Sequence, residues 1–322
     1  MAASKRSPTI RLNDGRHMPL LGLGTSKSPH EALVAAVCAA IDCGYRLIDC
    51  AYKYGNQAAV GEAIRAKIAD GTVVRDELFV VGKLWNGHHR GEHMDECLQR
   101  SLEQLGLDYL DLFLMHFPMS WVYPGDVNAD AVKDEANDYV DTWRRMQRYL
   151  ADGRARSLGV SNFNAFQLAR LLRECPEARP AVNQVEVHPY LANRDVIELC
   201  HTEGVAVTGY CCVGAADRAS RKQSDPGEFP LLLRDPVLLE LAGKYGKSCA
   251  QIALRYSLDQ QVAVVPKSVT PARIRENLDV FDFELELADW ERLLALDRGF
   301  RFMAAPYSVG HKYYPFRAGY SE

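Results

Sequence analysis

The fold is decided by residues 78–116, which read LFVVGKLWNGHHRGEHMDECLQRSLEQLGLDYLDLFLMH. The apolar run Leu78–Val81 predicts a buried strand, and Met94–Leu105 carries apolar residues at the spacing of an amphipathic helix. Gly106 stands where a glycine commonly ends a helix. A second buried strand is predicted over Leu110–Met115. The segment therefore predicts a strand–helix–strand unit, from which parallel sheets are built.

The same unit recurs along the whole chain. The predicted strands lie at Leu20–Leu23, Leu47–Cys50, Leu78–Val81, Leu110–Met115, Ser157–Val160, Val182–Val187, Val205–Tyr210 and Val262–Val265. Eight such units favour an α/β fold of the closed (β/α)₈ TIM barrel type. An open doubly wound sheet is the alternative, but it usually carries GxGxxG after its first strand, and Gly22–Lys27 lacks the third glycine. Since no change of composition marks a boundary, we expect residues 1–322 to form one barrel domain.

Four segments stand outside this alternation. Asn13-Asp14-Gly15 separates two short strand-like runs and predicts an N-terminal β-hairpin. Long stretches of mixed polarity follow the fourth and seventh strands, at Phe117–Asp138 and Cys211–Asp235, and a tail runs over Arg298–Glu322. Because the active sites of TIM barrels lie at the carboxyl ends of the strands, we expect both long loops to help enclose a substrate.

Composition excludes several classes of protein. Of the 322 residues, 48% are hydrophobic and 25% charged, which is ordinary for a soluble domain. A net charge of -4 gives no basic surface for nucleic acid or an anionic membrane. No apolar run approaches the roughly 20 residues of a membrane span. Nine cysteines without a CxxC pair favour a reducing compartment, so we expect a cytoplasmic protein. We also expect a monomer.

Three consecutive predicted strands end in a titratable residue: Asp49, Lys83 and His116. Tyr54 follows Asp49 on the loop that starts at the same rim, so all four should converge at one mouth of the barrel. A tyrosine of ordinary pKa, about 10, is a poor general acid near neutrality, and a neighbouring ammonium lowers that pKa. Each residue alone also fits a structural role, as a cap, a buried histidine or rim packing. Their joint placement favours proton transfer.

Six motifs in order along the chain resemble those of the aldo-keto reductase superfamily, most closely its NADP-dependent aldehyde reductase and aldose reductase branch. They are Leu21-Gly22-Leu23-Gly24-Thr25, Asp49-Cys50-Ala51-Tyr52-Lys53-Tyr54-Gly55-Asn56, Lys83-Leu84-Trp85-Asn86, Leu114-Met115-His116, Gly159-Val160-Ser161-Asn162-Phe163 and Val265-Pro266-Lys267-Ser268. The resemblance covers residues 20–297 and continues weakly to Phe316.

The resemblance implies NADPH-dependent reduction of aldehydes, aldoses and small ketones. Tyr54 would be the general acid, Lys83 would tune its pKa, Asp49 would pair with Lys83, and His116 would orient the carbonyl. The alternative is a non-catalytic use of the same fold, as a lens structural protein or a channel-associated redox sensor. The complete quartet argues against that alternative.

The resemblance also implies a cofactor site for NADPH. The residues expected to hold the nicotinamide are Ser161, Asn162, Gln184 and, stacked on its ring, Tyr210. Those expected at the adenosine 2′-phosphate and adenine are Lys267, Ser268, Arg273, Glu276 and Asn277, at the start of the last barrel helix. Without the resemblance, the sequence favours a capped helix with solvated charges over a phosphate site at that position. The remaining expected cofactor contacts are Gly24, Thr25, Asp49, Cys211, Val213, Asp217, Val269 and Thr270.

The expected substrate pocket consists of Ser26, Tyr54, Trp85, His116, Phe117 and Trp121. Ser26 and Phe117 stand where the aldose reductase branch usually has tryptophan, which predicts a roomier pocket that Trp121, Tyr123 and Phe229 could refill. Residues 303–312 do not align with the tail arginine of carboxylate-preferring relatives, which leaves a preference for acidic aldehydes open. No metal is implied. We expect His88, His89 and His93 to lie in a solvated loop, and Asp108 and Asp111 to cap a helix or face solvent.

Overall fold

The computed structural model describes residues 6–123, 132–215 and 231–317. Asp217 and Phe229, two of the residues singled out above, lie outside these ranges. The strands are β1 (Thr9–Arg11), β2 (His17–Pro19), β3 (Gly22–Gly24), β4 (Leu47–Asp49), β5 (Phe79–Leu84), β6 (Leu110–Met115), β7 (Ala155–Ser161), β8 (Val182–Glu186), β9 (Ala206–Tyr210) and β10 (Val262–Val264).

Helices follow the strands and cover the outside of the sheet. They are α1 (His30–Cys43), α2 (Gln57–Ala69), α3 (Gly91–Leu105), α4 (Tyr139–Met146), α5 (Arg148–Ala151), α6 (Ala165–Glu174), α7 (Arg194–Thr202), α8 (Pro236–Tyr245), α9 (Cys249–Leu258), α10 (Pro271–Leu278) and α11 (Leu287–Leu294). Helix α3 ends as predicted at Gly106, whose φ of +66° is a conformation that glycine adopts without strain. None of the helices in the described ranges has the length and apolar character needed to cross a membrane.

Strands β3 to β10 form one parallel sheet in chain order. The sheet closes because parallel bridges join Leu21 to Val264 and Gly24 to Lys267. The amide of Val264 donates to the carbonyl oxygen of Leu20 at 2.8 Å across this seam. A Cβ on Gly24 would lie 2.7 Å from the carbonyl oxygen of Val265, so the seam requires a glycine. The closed (β/α)₈ barrel is confirmed, and the open sheet is excluded.

The predicted hairpin is confirmed at the amino-terminal end of the barrel. Strands β1 and β2 pair antiparallel, with Ile10 opposite Met18. Met18 and Leu12 are buried in the same apolar cluster as alternate residues of the barrel strands. The hairpin therefore plugs the amino-terminal end of the barrel interior and leaves the carboxyl ends of the strands as its open mouth.

Candidate active site

Strand alternation directs the predicted residues into the barrel. The apolar cluster inside it contains Leu47 of β4, Phe79 and Val81 of β5, and Leu112 and Leu114 of β6. Successive side chains of a strand point to opposite faces, so each second residue joins the same interior. In each of these three strands, the next inward-facing position toward the carboxyl end is a titratable residue. These residues are Asp49, Lys83 and His116. The three side chains thus form a polar layer on top of an apolar barrel core.

The centre of this layer is the ammonium group of Lys83, which is fully buried. Its Nζ donates to Oδ1 and Oδ2 of Asp49 at 2.8 and 2.7 Å, and to the carbonyl oxygen of Cys50 at 2.9 Å. The phenol oxygen of Tyr54 lies 3.4 Å from the same Nζ. Asp49 also accepts from Nε2 of Gln184 at 2.9 Å. Since a buried charge needs such partners, Asp49 stabilises the ionised form of Lys83.

Burial dominates the proton affinities in this layer. Burial raises the pKa of Tyr54 to about 12, although the neighbouring ammonium of Lys83 opposes the rise. For Lys83 burial acts to lower the pKa, but Asp49, Tyr54 and Cys50 together outweigh burial, with Asp49 the largest of the three, and the pKa lies above its ordinary value. The expected lowering of the Tyr54 pKa by Lys83 is therefore present as one contribution, while the net direction is the opposite one. Tyr54 is a protonated phenol at neutral pH, held beside a permanent cation.

His116 faces Tyr54 across the mouth. Its ring centroid lies 5.9 Å from that of Tyr54 and 5.6 Å from that of Trp85, both edge-on, and Phe117 stacks on it at 5.4 Å. Burial, followed by the charge of Lys83, holds the pKa of His116 well below its ordinary value. The imidazole is therefore neutral at pH 7. It can orient a polar ligand, but it cannot serve as a cationic acid.

The residues expected around a nicotinamide form a hydrogen-bonded network beside this layer. The hydroxyl of Ser161 donates to the carbonyl oxygen of Gln184 at 2.8 Å, and Nδ2 of Asn162 donates to that of His116 at 2.8 Å. The phenol of Tyr210 donates to Oδ1 of Asn162 at 2.6 Å. Asn162 has a φ of +61°, a conformation that asparagine tolerates better than most residues. A carboxamide needs both donors and acceptors, and these side chains supply both, so they fit a nicotinamide.

The expected phosphate contacts lie at the start of α10. Lys267 and Arg273 are exposed, and the described residues contain no ion pair to Arg273. The N-cap residue, Thr270, makes no side-chain cap, while the Ser268 hydroxyl accepts from the Thr270 amide at 3.1 Å. An open helix N-terminus beside two cations fits a phosphate. Next to it Glu276 is half-buried and Asn277 is buried.

The other expected cofactor contacts border the same rim. Thr25 is buried, and its hydroxyl donates to the carbonyl oxygen of Asp49 at 2.8 Å. Gly24 lies at the barrel seam, and Val269 packs partly buried on the outer core. Cys211 begins the loop after β9 with a φ of +54°, and Val213 is half-buried in that loop.

The expected pocket residues divide into two groups. Trp85 and Phe117 are buried and contact the ring of His116, whereas Ser26 is half-buried just beyond β3. Trp121 is buried, but its ring contacts that of His311 at 5.5 Å. Tyr123 stacks on His93 at 3.7 Å and donates to Glu96, so it does not refill the pocket.

Sequence reasoning missed the part of the tail that reaches this rim. The ring of Phe316 lies 6.4 Å from that of Phe117, and the guanidinium of Arg301 lies 4.1 Å above Phe316. The aromatic run Tyr313-Tyr314-Pro315-Phe316 was a signal that the tail folds back on the barrel.

Two predictions about polar residues are wrong in part, although Asp108 is exposed as expected. His88 and His89 are 3% and 0% exposed, so they are not part of a solvated loop, and His93 is the partly exposed one. Asp111 is also buried, where it accepts from the amide of Val80 at 2.9 Å and pairs with Arg75. In the described ranges, no group of three or more His, Cys, Asp or Glu side chains could hold a metal ion.

Comparisons with known proteins agree with this geometry. The model of the aldo/keto reductase family matches residues 20–298. Aldo-keto reductase family 1 member A1 of Bos taurus is 43% identical and that of Homo sapiens 42%, each alignment covering 99% of this chain and 100% of the relative. Among solved structures, the Bombyx mori aldo-keto reductase in complex with NADP has a TM-score of 0.88 at 39% identity, covering 96% of this chain and 99% of that one. The aldose reductase of Schistosoma japonicum has a TM-score of 0.87 at 36% identity, covering 97% and 99%.

Proposed function

The chain belongs to the aldo/keto reductase family, and we propose that it is an NADPH-dependent enzyme that reduces aldehydes, aldoses and small ketones to alcohols. The observation that carries the proposal is the position of the Tyr54 phenol, 3.4 Å from a fully buried lysine that Asp49 keeps charged. A buried ion pair under a tyrosine is costly to maintain in a protein that performs no proton transfer. This argues against the purely structural alternative.

In the proposed reaction Tyr54 donates its proton to the carbonyl oxygen as that oxygen gains negative charge. Because burial raises its pKa to about 12, Tyr54 holds the proton at neutral pH until the substrate oxygen becomes more basic. The ammonium of Lys83 then stabilises the phenolate that is left. His116, neutral and edge-on to Tyr54, orients the carbonyl.

NADPH, when bound, supplies the hydride for the carbonyl carbon. Ser161, Asn162 and Gln184 would hold its carboxamide, Tyr210 would stack on its nicotinamide, and Lys267, Ser268 and Arg273 would bind its 2′-phosphate. The hydrogen-bond donors and acceptors of the residues around the nicotinamide and the positive charges of Lys267 and Arg273 support this proposal. The NADP complex of the Bombyx mori relative also supports it.

The substitution Tyr54→Phe tests the acid. It removes the hydroxyl and keeps the ring, so NADPH binding should stay near wild type while carbonyl reduction falls by roughly 10² to 10⁴-fold, the usual contribution of a general acid. The matched control is Tyr52→Phe in the same turn, because the Tyr52 hydroxyl accepts a hydrogen bond from Arg100 and not from Lys83. Initial rates with propanal and fluorescence titration of NADPH measure both quantities. A Tyr54→Phe enzyme that keeps more than a tenth of wild-type kcat would exclude Tyr54 as the acid.

We also propose that residues 1–322 act as one domain, and that the protein is a cytoplasmic monomer. Light scattering after gel filtration should give the mass of one chain. A concentration-independent dimer would contradict the proposal.

A further inference from the structure

A buried carboxylate joins the barrel to its C-terminal tail. Glu186, the last residue of β8, is 0% exposed. Its Oε1 accepts from the amide of Phe302 at 2.5 Å and its Oε2 from the amide of Met303 at 2.9 Å. Nε2 of His188, also 0% exposed, lies 2.9 Å from Oε1. Two consecutive amides of the tail are thus bound by one ionisable side chain of a barrel strand.

The bound segment lies at the rim of the site. Arg301 stands over the ring of Phe316, which contacts Phe117, which in turn stacks on His116. On the other side, the charge of Arg301 acts on Tyr210, next to the expected nicotinamide position. Arg301 is therefore near Tyr210 on one side and is linked to Phe117 through Phe316 on the other, so residues 301–303 lie beside the mouth.

The same segment also touches the loop that follows β9. Phe302 is buried in one cluster with Ala215 and Leu232, and a Cβ on Gly214 would lie 3.4 Å from its ring. Further along the chain the tail has other contacts with the barrel, since Nε2 of Gln167 donates to the carbonyl oxygen of Tyr313 at 2.9 Å, whereas Val309 is 59% exposed. Glu186, which pairs with Tyr210 between β8 and β9, is the attachment that holds residues 302 and 303.

We propose that Glu186 is a positioning residue that holds residues 301–303 as the C-terminal wall of the substrate site and thereby sets the discrimination between large and small carbonyl substrates. This role rests on the proposed reductase function. A large substrate reaches the wall, and a short aldehyde at Tyr54 does not. Loss of the attachment should therefore affect large substrates more, and mainly through KM.

Glu186→Gln tests the attachment most directly, because it keeps the shape of the side chain. The amide of glutamine places an N–H group against one of the two backbone N–H donors, so one of the two hydrogen bonds is lost. We expect the amides of Phe302 and Met303 to exchange with deuterium at least tenfold faster than in the wild type. We also expect kcat/KM for 2-naphthaldehyde to fall at least fivefold more than kcat/KM for propanal. The control is Asp111→Asn, which changes a buried carboxylate that also accepts from a backbone amide, but near the amino-terminal end of β6. It should alter neither the exchange of the tail nor the ratio between the two aldehydes.

Equal losses for both aldehydes, or tail exchange unchanged in Glu186→Gln, would overturn the proposal. If that variant does not fold, hydrogen exchange of the wild type still tests the proposal. If the amides of Phe302 and Met303 exchange as fast as the amide of Val309, Glu186 does not hold the tail firmly. Failure of the proposed function looks different: the wild-type protein would turn over neither aldehyde, while the exchange experiment would be unaffected.

Discussion

Removing the guanidinium of Arg273 should change which cofactor the protein binds. Arg273 is the third residue of α10, whose N-terminus carries no side-chain cap, and it has no acidic partner in the described residues. Its charge is therefore available to the 2′-phosphate that NADPH has and NADH lacks. A charge-assisted hydrogen bond contributes about 1.5 to 3 kcal/mol, and solvent screening of an exposed site favours the lower value.

At about 1.4 kcal/mol for each factor of ten, Arg273→Ala should weaken NADPH binding about tenfold and leave NADH binding nearly unchanged. The dependence of NADPH binding on salt should also become shallower, because a screened ion pair has been removed. Together with Lys267, Arg273 should give the wild type a preference for NADPH of roughly 10². Arg275→Ala is the matched control, since it removes another exposed arginine from the last turn of the same helix.

Titration of NADPH and NADH against the fluorescence of the wild type and the two variants, with the buried Trp85 beside His116 as the expected reporter, gives the six dissociation constants. Equal losses for NADPH and NADH would mean that Arg273 supports the loop and does not bind the phosphate. Equal losses of NADPH affinity in Arg273→Ala and Arg275→Ala would mean that the overall positive potential of the helix, and not a specific contact of Arg273, attracts the phosphate.

Three further predictions follow from the buried groups of the site. Because the pKa of Tyr54 is about 12 and the pKa of His116 is lowered, kcat for carbonyl reduction should be constant between pH 6 and 9. The rate of alcohol oxidation should rise with pH, since oxidation needs the phenolate of Tyr54. A reduction rate that falls above pH 7 would contradict this prediction. Lys83→Met leaves its partner carboxylate buried and should lower the free energy of unfolding by about 3 to 5 kcal/mol in urea titrations, and a loss below about 1 kcal/mol would refute the pairing. Burial raises the pKa of Cys212 to about 12, so thiol reagents should modify the half-buried Cys211 before Cys212, as measured by mass spectrometry. Bound NADPH should slow the modification of Cys211. Equal labelling of both thiols would contradict this prediction.

The barrel and the quartet could be predicted because both depend on periodic patterns. The repeated strand–helix unit indicates the fold, and the position of Asp49, Lys83 and His116 at strand ends follows from the geometry of parallel barrels. Burial in loops has no such pattern. His88 and His89 stand among charged residues and are nevertheless covered by the loops around them. For the same reason the sign of the Tyr54 pKa shift was not predictable, since it depends on how completely the loops exclude water.

Contacts between distant parts of the chain were also beyond the sequence pattern. Glu186 and Phe302 are 116 positions apart, and neither the strand nor the tail signals its partner. A buried acid at the end of a strand is equally compatible with a role in the mouth and with a role in structure. Only the positions of the two tail amides distinguish these roles.

The seam between β3 and β10 has a consequence for how the protein is made. Its two sides are about 240 residues apart, so a ribosome that adds about 5 to 20 residues per second exposes β3 for about 12 to 48 s before β10 exists. During that interval β3 is the unpaired edge of an open sheet, which can pair with other chains. Asp49, Tyr54, Lys83 and His116 have all been synthesised within the first half of this interval, whereas α10, with the expected phosphate contacts, emerges only after the last strand. Nascent chains should therefore depend on chaperones until translation is nearly complete, and NADPH cannot stabilise them before the barrel has closed.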